Sequence, residues 1–344
     1  MRTGPMATED RTAFERLSTF LIAEGLPQEI EPLTPDASTR SYFRIPWESG
    51  SAVACVYQGS FGDDLPFLDT TSLFLAAGIP VAKILRSDHG LGIVVQEDLG
   101  SRTLYSELEE SGEAKRESYV DDAIRLIARI QAATELSFQR RSVASGLRFD
   151  REKLEWELNF FLEHHFASLR KVPLAGGLET DVRAEFAALS TRLESHSKFL
   201  VHRDFHASNL MVDGKGRLYI IDHQDARLGS AAYDLVSLLL DRVSSIPDEN
   251  WLASKRWLLL REREIVGLEA IDEVNFSEEF DLVAIQRCLK AIGTFSNQAG
   301  NFGRDQYLRY IPPMFRIVKE ACERQDRYPA IVEMIKTAEK LTNR

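Results

Sequence analysis

Three short apolar segments, "FLVH", "LMVD" and "LYIID", follow one another closely between residues 199 and 222. The "DGKG" that separates the second from the third, residues 213–216, predicts a tight β-hairpin, because Asp-Gly tolerates positive φ angles. Asp204 and Asn209 lie before this hairpin, and Asp222 follows it. This segment constrains the fold strongly, because closing the hairpin brings three polar side chains from short loops into one pocket among apolar strands.

These polar residues have the chemistry of a phosphoryl-transfer site. A carboxylate among apolar residues is costly unless it is paired, hydrogen-bonded or bound to metal. Asn209 and Asp222 offer the hard oxygen ligands that suit magnesium carrying phosphates. Asp204, if free of the metal, can orient a hydroxyl group and accept its proton. A metal clamp with a positioned base is the division of labour that phosphoryl transfer requires.

The composition narrows the class of protein. The chain has 344 residues, of which 44% are apolar, and this suits two packed lobes. Its 42 basic and 53 acidic side chains give a net charge of −11, which argues against a nucleic-acid partner. No run of about eighteen apolar residues predicts a membrane span, and the opening "MRTGPMATEDRT" is unlike a signal peptide. Three widely spaced cysteines are typical of reduced thiols, so we expect a cytoplasmic protein whose oligomeric state is left open.

The secondary-structure pattern changes along the chain. Short strands, "SYFRI", "AVACVYQ" and "LGIVVQEDLG", surround one predicted helix, "PFLDTTSLFLAAGI", which Gly78 and Pro80 end. Beyond this region helical periodicity dominates. We therefore predict an α+β, two-lobed fold, with a small antiparallel-sheet lobe over residues 1–98, a mainly helical lobe over 99–344, and a ligand cleft between them. Further helices are predicted at 13–25, 120–133, 151–166, 181–196, 232–242, 250–266, 279–298 and 328–341.

The motif "HRDFHASNL" followed by "YIIDHQDA" resembles the aminoglycoside phosphotransferase superfamily, small-molecule kinases with a protein-kinase-like fold. The resemblance implies that Asp204 is the catalytic base and that Asn209 and Asp222 are the magnesium ligands. It also implies that His202 is structural and that Asp234, in "YDLVSLL", braces the catalytic loop.

A closer resemblance covers residues 30 to 320. "DASTRSYFRI", "VVQEDLG", "HRDFHASNLMV" and "QRCLKAIGTF" look like segments of the bacterial cell-wall-recycling kinases. These enzymes use ATP and Mg²⁺ to phosphorylate the anomeric hydroxyl of N-acetylmuramate and N-acetylglucosamine, so the resemblance implies a sugar 1-phosphate as product. His223 takes the place of the more usual aromatic residue after the metal aspartate, which leaves its packing open.

On the nucleotide side, the resemblance implies that "VVQEDLG" is the hinge between the lobes and that the backbone of Gln96, Glu97 and Leu99 hydrogen-bonds adenine. The alternative is that this segment is only a strand that leads into a turn. Protein-kinase-like folds place a lysine on the third strand, and "AVACVYQGS" has none. The candidate replacements are Arg40 and Arg44.

Of these two arginines, Arg44 shares one strand face with Tyr42 and is favoured as a bidentate phosphate clamp. Solvated arginines are the alternative. Ser38 and Thr39 can cover the phosphates with their amides, and Asp69, on the helix after that strand, can pair with the arginine.

On the acceptor side, Asp225 and Glu157 are candidates for binding sugar hydroxyls, and Arg287 and Lys290 for a lactyl carboxylate. Surface turns and solvated helix charges remain the alternatives for all four. An aminoglycoside kinase would instead need an acidic pocket for its polycationic substrate.

Two other functions stay open at this point. One is phosphorylation of an aminoglycoside or another hydroxylated metabolite. The other, from a different class, is a nucleotide-binding pseudokinase module, which the absent strand lysine favours. The joint presence of Asp204, Asn209 and Asp222 favours an enzyme, because a binding module needs no base.

Overall fold

The computed structural model of the protein describes residues 8–33, 40–243 and 245–342. One five-stranded antiparallel sheet in the first third of the chain has the spatial order β1-β2-β3-β5-β4. A helix lies before the sheet in the sequence, and a second one connects β3 to β4. The bounds are α1 Thr8–Ala23, β1 Glu31–Leu33, β2 Ser41–Trp47, β3 Gly50–Val56, α2 Pro66–Ala76, β4 Ile84–Asp88 and β5 Ile93–Glu97.

The rest of the chain is mainly helical, with two small two-stranded sheets: β6 pairs with β9, and β7 forms a hairpin with β8. This arrangement confirms the predicted α+β, two-lobed fold. The helices are α3 Leu104–Glu110, α4 Glu113–Ala132, α5 Thr134–Gln139, α6 Val143–Gly146, α7 Arg151–Leu162, α8 Gly176–Ser195, α9 Tyr233–Leu240, α10 Glu249–Ile265, α11 Glu273–Phe302, α12 Ile311–Gln325 and α13 Pro329–Thr342, and the strands are β6 Phe199–Val201, β7 Leu210–Val212, β8 Leu218–Ile220 and β9 Arg227–Gly229.

Strand β2 has two distinct faces, as its period of two predicts. Phe43 and Ile45 are buried with Leu17 and Phe20 of α1 in the small hydrophobic core of the sheet. The alternate residues, Tyr42 and Arg44, point away from that core and are partly exposed. The sheet therefore presents polar side chains on the face opposite α1.

The larger hydrophobic core extends beyond the helical lobe. It includes Leu73 and Phe74 of α2 together with Ile79 and Val81, next to residues of α4, α7 and α11. Helix α2 thus packs with the larger core, although it lies in the first 98 residues. The predicted division at residue 98 stays a prediction.

Helix α11 is the central element of the helical lobe. The side chain of Asp272 accepts a hydrogen bond from the backbone N–H of Asn275 and caps its start, and Gly303, with φ 66°, ends it. Gly293 allows α11 to cross α7 closely, because a Cβ at this position would lie 2.7 Å from the Cα of Phe161. Side chains of these two helices, which are far apart in sequence, therefore meet.

Most predicted helices are confirmed, but α12 was missed. Pro312 and Pro313 resemble helix breakers in the sequence, yet both lie in the first turn of α12, where no backbone N–H donor is needed. The helix predicted over 151–166 ends as α7 at Leu162 and continues as a π-helical turn over Glu163–Leu169. Within the described parts of the chain, the helices are all too short or too polar to cross a membrane.

Candidate active site

The loop around Asp204 is held in an uncommon backbone conformation. Arg203 has φ 85° and Asp222 has φ 62°, values that cost a non-glycine residue about 1–3 kcal/mol. The carboxylate of Asp234, itself fully buried, compensates by accepting hydrogen bonds from the backbone N–H of His202 at 2.7 Å and of Arg203 at 3.0 Å. His202 Nε2 donates to the carbonyl oxygen of Ile221 at 2.9 Å, which ties this loop to the residue before Asp222.

Two cations from α11 hold Asp204. Its Oδ1 accepts hydrogen bonds from Arg287 Nη1 at 2.9 Å and from Lys290 Nζ at 3.0 Å, and Arg203 Nε lies 3.8 Å from Oδ2. Burial alone raises the pKa of Asp204, but Lys290, Arg287 and Arg203 together hold it well below its ordinary value of 3.8. Asp204 is therefore an ionised hydrogen-bond acceptor and a weak base.

Asn209 and Asp222 are neighbours across the hairpin, because the N–H of Ile221 donates to the carbonyl oxygen of Asn209 at 3.0 Å. Asn209 Nδ2 donates to the Asp204 carbonyl oxygen at 3.0 Å, so Oδ1 is the atom of this amide that would bind a metal. The described residues contain no cluster of three or more His, Cys, Asp or Glu side chains that fits a metal. One carboxylate and one amide fit Mg²⁺, which keeps several waters and shares its coordination with substrate phosphates.

Arg40, directly before β2, and Arg44, within β2, have different carboxylate partners. A contact of Arg44 with the phosphates stays a prediction. Arg40 Nη2 lies 3.3 Å from Asp222 Oδ1, and its guanidinium sits 5.7 Å from the ring centroids of Tyr42 and Tyr57. Arg44 Nε instead donates to Asp98 Oδ2 at 2.6 Å. Arg40 and Arg44 are four positions apart, which is about 13 Å along an extended strand, so only Arg40 reaches Asp222.

Three other predicted contacts on the nucleotide side differ in outcome. Ser38 and Thr39 lie outside the described residues. The proposed pairing of Asp69 with an arginine is wrong: Asp69 Oδ2 accepts from the N–H of Val143 at 2.9 Å and from the Ser142 hydroxyl. Its carboxylate therefore joins α2 to the start of α6.

The predicted hinge begins inside strand β5. Gln96 and Glu97 belong to the sheet, and the Glu97 N–H donates to the Lys83 carbonyl oxygen at 2.9 Å. Leu99 lies past the end of the strand. A cavity of about 570 Å³, lined by Trp47, Tyr219 and residues 97–100, lies against this segment.

A profile of the phosphotransferase enzyme family matches residues 29–263. This span is more than half of the chain and includes Asp204, Asn209 and Asp222. The chain belongs to the phosphotransferase enzyme family. The family resemblance that the sequence motifs indicate is thereby confirmed.

Individual proteins agree with this membership. A Neisseria meningitidis serogroup B protein named N-acetylmuramate/N-acetylglucosamine kinase is 32% identical over 308 residues, which cover 87% of this chain and 89% of the relative. A Pseudomonas aeruginosa protein of the same name is 27% identical over 344 residues, which cover 95% and 97%. The solved complex of gentamicin with APH(2'')-IIa matches with a TM-score of 0.60 at 12% identity and covers 91% of this chain and 97% of that one. The last comparison confirms the predicted kinase-like fold.

The acceptor-side candidates of this phosphotransferase lie in an ion network. Glu157, 1% exposed, accepts a hydrogen bond from Gln286 Nε2 at 2.9 Å and lies 3.7 Å from Arg203 Nη2. Asp225 is half-exposed and lies 3.2 Å from Arg203 Nη1 and 3.3 Å from Arg227 Nη2. Arg203 and Arg227 were not among the site residues predicted from the sequence, although Arg203 directly precedes Asp204.

Arg287, a candidate ligand for a substrate carboxylate, has its hydrogen-bond acceptors within the protein. It is 1% exposed and donates to Asp204, to Ser237 Oγ at 3.0 Å and to Asp241 Oδ2 at 2.9 Å. Its guanidinium is thus occupied within the protein. Lys290 is partly exposed and contacts the same oxygen of Asp204.

His223 links the metal-side loop of the phosphotransferase to α2. Its ring lies 5.1 Å from that of Phe67 and 5.3 Å from that of Phe74, and its Nε2 is 2.8 Å from Thr71 Oγ1. Burial lowers the pKa of His223 to about 3, and repulsion from His202 and Arg40 contributes. The imidazole is therefore neutral and fills an apolar site, as an aromatic ring would.

This burial predicts a pH-dependent stability. The pKa of His223 is about 3 in the folded chain and about 6.5 in the unfolded chain. Between these two values the unfolded chain therefore binds a proton at His223 and the folded chain does not. The free energy of unfolding is thus highest above pH 6.5 and decreases as the pH falls towards 3. When the pH is lowered from 7 to 5, the free energy of unfolding should decrease by about 2 kcal/mol more in the wild type than in His223→Phe.

Denaturant unfolding at the two pH values measures this difference. The matched control is His89→Phe, which makes the same substitution at a histidine whose side chain is 39% exposed. Equal pH dependence in His223→Phe and the wild type would contradict a buried neutral His223.

Proposed function

We propose that this phosphotransferase transfers the γ-phosphoryl group of ATP to the anomeric hydroxyl of N-acetylmuramate or N-acetylglucosamine and forms the sugar 1-phosphate. The names of the two kinase relatives support this substrate class, as does the large share of each relative that the match covers. The reaction belongs to cytoplasmic recycling of cell-wall sugars.

One observation in the structure carries the choice of acceptor. The ion pairs around Asp204 join five cations to four carboxylates, an excess of one cation within this set: Lys153, Arg203, Arg227, Arg287 and Lys290 against Asp204, Asp225, Asp241 and Glu157. A polycationic aminoglycoside would be repelled here, whereas an acidic or neutral sugar is compatible. This charge balance favours the amino sugar over the antibiotic.

The residues around Asp204 suggest how the transfer proceeds. The ionised carboxylate accepts a hydrogen bond from the anomeric hydroxyl and directs its oxygen at the phosphoryl group. Because three cations depress the pKa of Asp204, it takes the proton late, as a loose, metaphosphate-like transition state permits. Asn209 and Asp222 would hold Mg²⁺, which supplies charge neutralisation for the phosphate oxygens when it is bound.

The nucleotide binds between the lobes in this proposal. Leu99 and the cavity against residues 97–100 are placed to receive the base, with Gln96 and Glu97 forming the strand end beside it. Arg40, already at Asp222, takes the place of the absent strand lysine near the phosphates. Arg44 braces the hinge through Asp98.

The test is product identification. The purified protein is incubated with Mg-ATP and, separately, N-acetylmuramate, N-acetylglucosamine, another hexose and kanamycin, and phosphorus NMR locates the new phosphate. We expect an anomeric phosphate on the two amino sugars only. Phosphate on kanamycin would overturn the proposal, and ATP binding without acceptor-dependent ADP release would favour the pseudokinase module.

A further inference from the structure

We propose that Lys153 binds the carboxylate of an acidic acceptor and so determines the preference for N-acetylmuramate over the neutral N-acetylglucosamine. This inference rests on the proposed function, of which it specifies one substrate contact. It reassigns the carboxylate-binding role from α11 to the first turn of α7.

The ammonium group of Lys153 is the least satisfied cation of the cluster. Its Nζ lies 3.8 Å from Glu157 Oε1 and 4.1 Å from the ring centroid of Trp156. Across the described ranges, no residue accepts a hydrogen bond from it. Its side chain is 29% exposed, so a ligand in solution can reach it.

The other cations around Asp204 have closer anionic partners. Arg287 and Lys290 donate to Asp204 at 2.9 and 3.0 Å. Arg203 and Arg227 lie 3.2 and 3.3 Å from Asp225. A carboxylate that enters this cluster therefore finds Lys153 available without displacing a shorter ion pair.

The surrounding charges favour an anion at this position. Burial lowers the pKa of Lys153, Glu157 opposes that shift, and repulsion from Arg203, Arg227 and Lys290 adds to it. Glu157, the nearest carboxylate, is already hydrogen-bonded to Gln286 through its other oxygen. A substrate carboxylate would relieve the repulsion among these cations.

The position of Lys153 also suits the shape of the acceptor. Successive separations of 3.8, 3.7 and 3.8 Å lead from Lys153 through Glu157 and Arg203 to Asp204. The lactyl ether of N-acetylmuramate is on C3 and its reacting hydroxyl is on C1. A pyranose that presents C1 to Asp204 can therefore direct the acid towards α7.

The experiment compares kcat/KM for the two sugars in Lys153→Met. We expect a loss of about tenfold to a hundredfold for N-acetylmuramate, the usual effect of removing a charge-assisted hydrogen bond, and less than a twofold change for N-acetylglucosamine. The loss should fall on KM, because the contact is made equally in the ground state and the transition state. Lys153→Arg should retain the preference.

The matched control is Arg151→Met, which removes a cation of the same helix that pairs with Glu155 on the surface; we expect no change in the ratio of the two sugars. If Lys153→Met left the ratio of kcat/KM for the two sugars unchanged, the inference would be overturned while the proposed function stands. A wild-type protein that phosphorylates neither sugar would overturn both.

Discussion

Asp204→Asn is expected to lower kcat by about 10²–10⁴-fold, the usual contribution of a positioned acid–base group. The amide cannot take the proton of the anomeric hydroxyl, and it leaves Lys290 and Arg287 without the charge they face at 3.0 and 2.9 Å. KM for ATP should stay within about threefold of the wild-type value, because this carboxylate acts on the acceptor hydroxyl and not on the nucleotide in the proposed reaction. Steady-state ADP release with each amino sugar measures both constants.

The control for this variant is Asp225→Asn. Asp225 also lies beside Arg203, but its side chain is 48% exposed, so we expect a smaller loss, of less than about tenfold, from a solvated charge pair. The assignment of Asp204 as the base would be wrong if Asp204→Asn kept more than a tenth of the wild-type kcat.

Arg287→Met is expected to lower the free energy of unfolding by about 3–5 kcal/mol, the usual cost of removing one partner of a buried ion pair. Arg287 and Asp241 have side chains only 2% and 6% exposed and lie 2.9 Å apart. Without the guanidinium, Asp241 keeps a buried charge and Asp204 loses one of its two short contacts. Denaturant unfolding at pH 7 measures the change.

A double variant separates the lost ion pair from general damage to α11. Arg287→Met with Asp241→Asn removes both charges and should recover more than half of the lost stability. Arg261→Met, which breaks a half-exposed pair with Glu264, should cost less than about 1 kcal/mol. No recovery in the double variant would show that Asp241 is not the cause.

The contacts of Arg287 and Lys290 with Asp204 give α11 a part in the proposed catalysis. Both residues stabilise the ionised form of Asp204, which therefore accepts hydrogen bonds across the physiological pH range. Arg287 connects this carboxylate to Asp241. The hydrogen bonds from Arg287 and Lys290 thus fix the orientation of Asp204 relative to α11.

Much of the fold was predictable from local pattern. The predicted helix over 279–298 lies inside α11, and the Asp-Gly turn joins β7 to β8 as expected. Both predictions depend on residues that are close in sequence, since periodicity and turn chemistry are local properties. Helix α12 was missed because a proline is compatible with the first turn of a helix but breaks its interior. Local sequence does not show in which of the two places Pro312 and Pro313 lie.

The partners of the charged side chains were much less predictable. Arg40 contacts Asp222 across 182 residues, Arg287 contacts Asp204 across 83, and His223 contacts Thr71 across 152. Strand alternation favoured Arg44 over Arg40, because alternation gives the face of a strand but not the position along it.

The amino-acid sequence by itself determined the kinase-like fold and the grouping of Asp204, Asn209 and Asp222, because a loop and a hairpin of about twenty residues carry all three. Only the tertiary structure decided which cations face them. Salt bridges depend on atoms meeting within about 4 Å, and that distance is set by the crossing of α7 with α11 and by the closure of the sheet over the helical lobe.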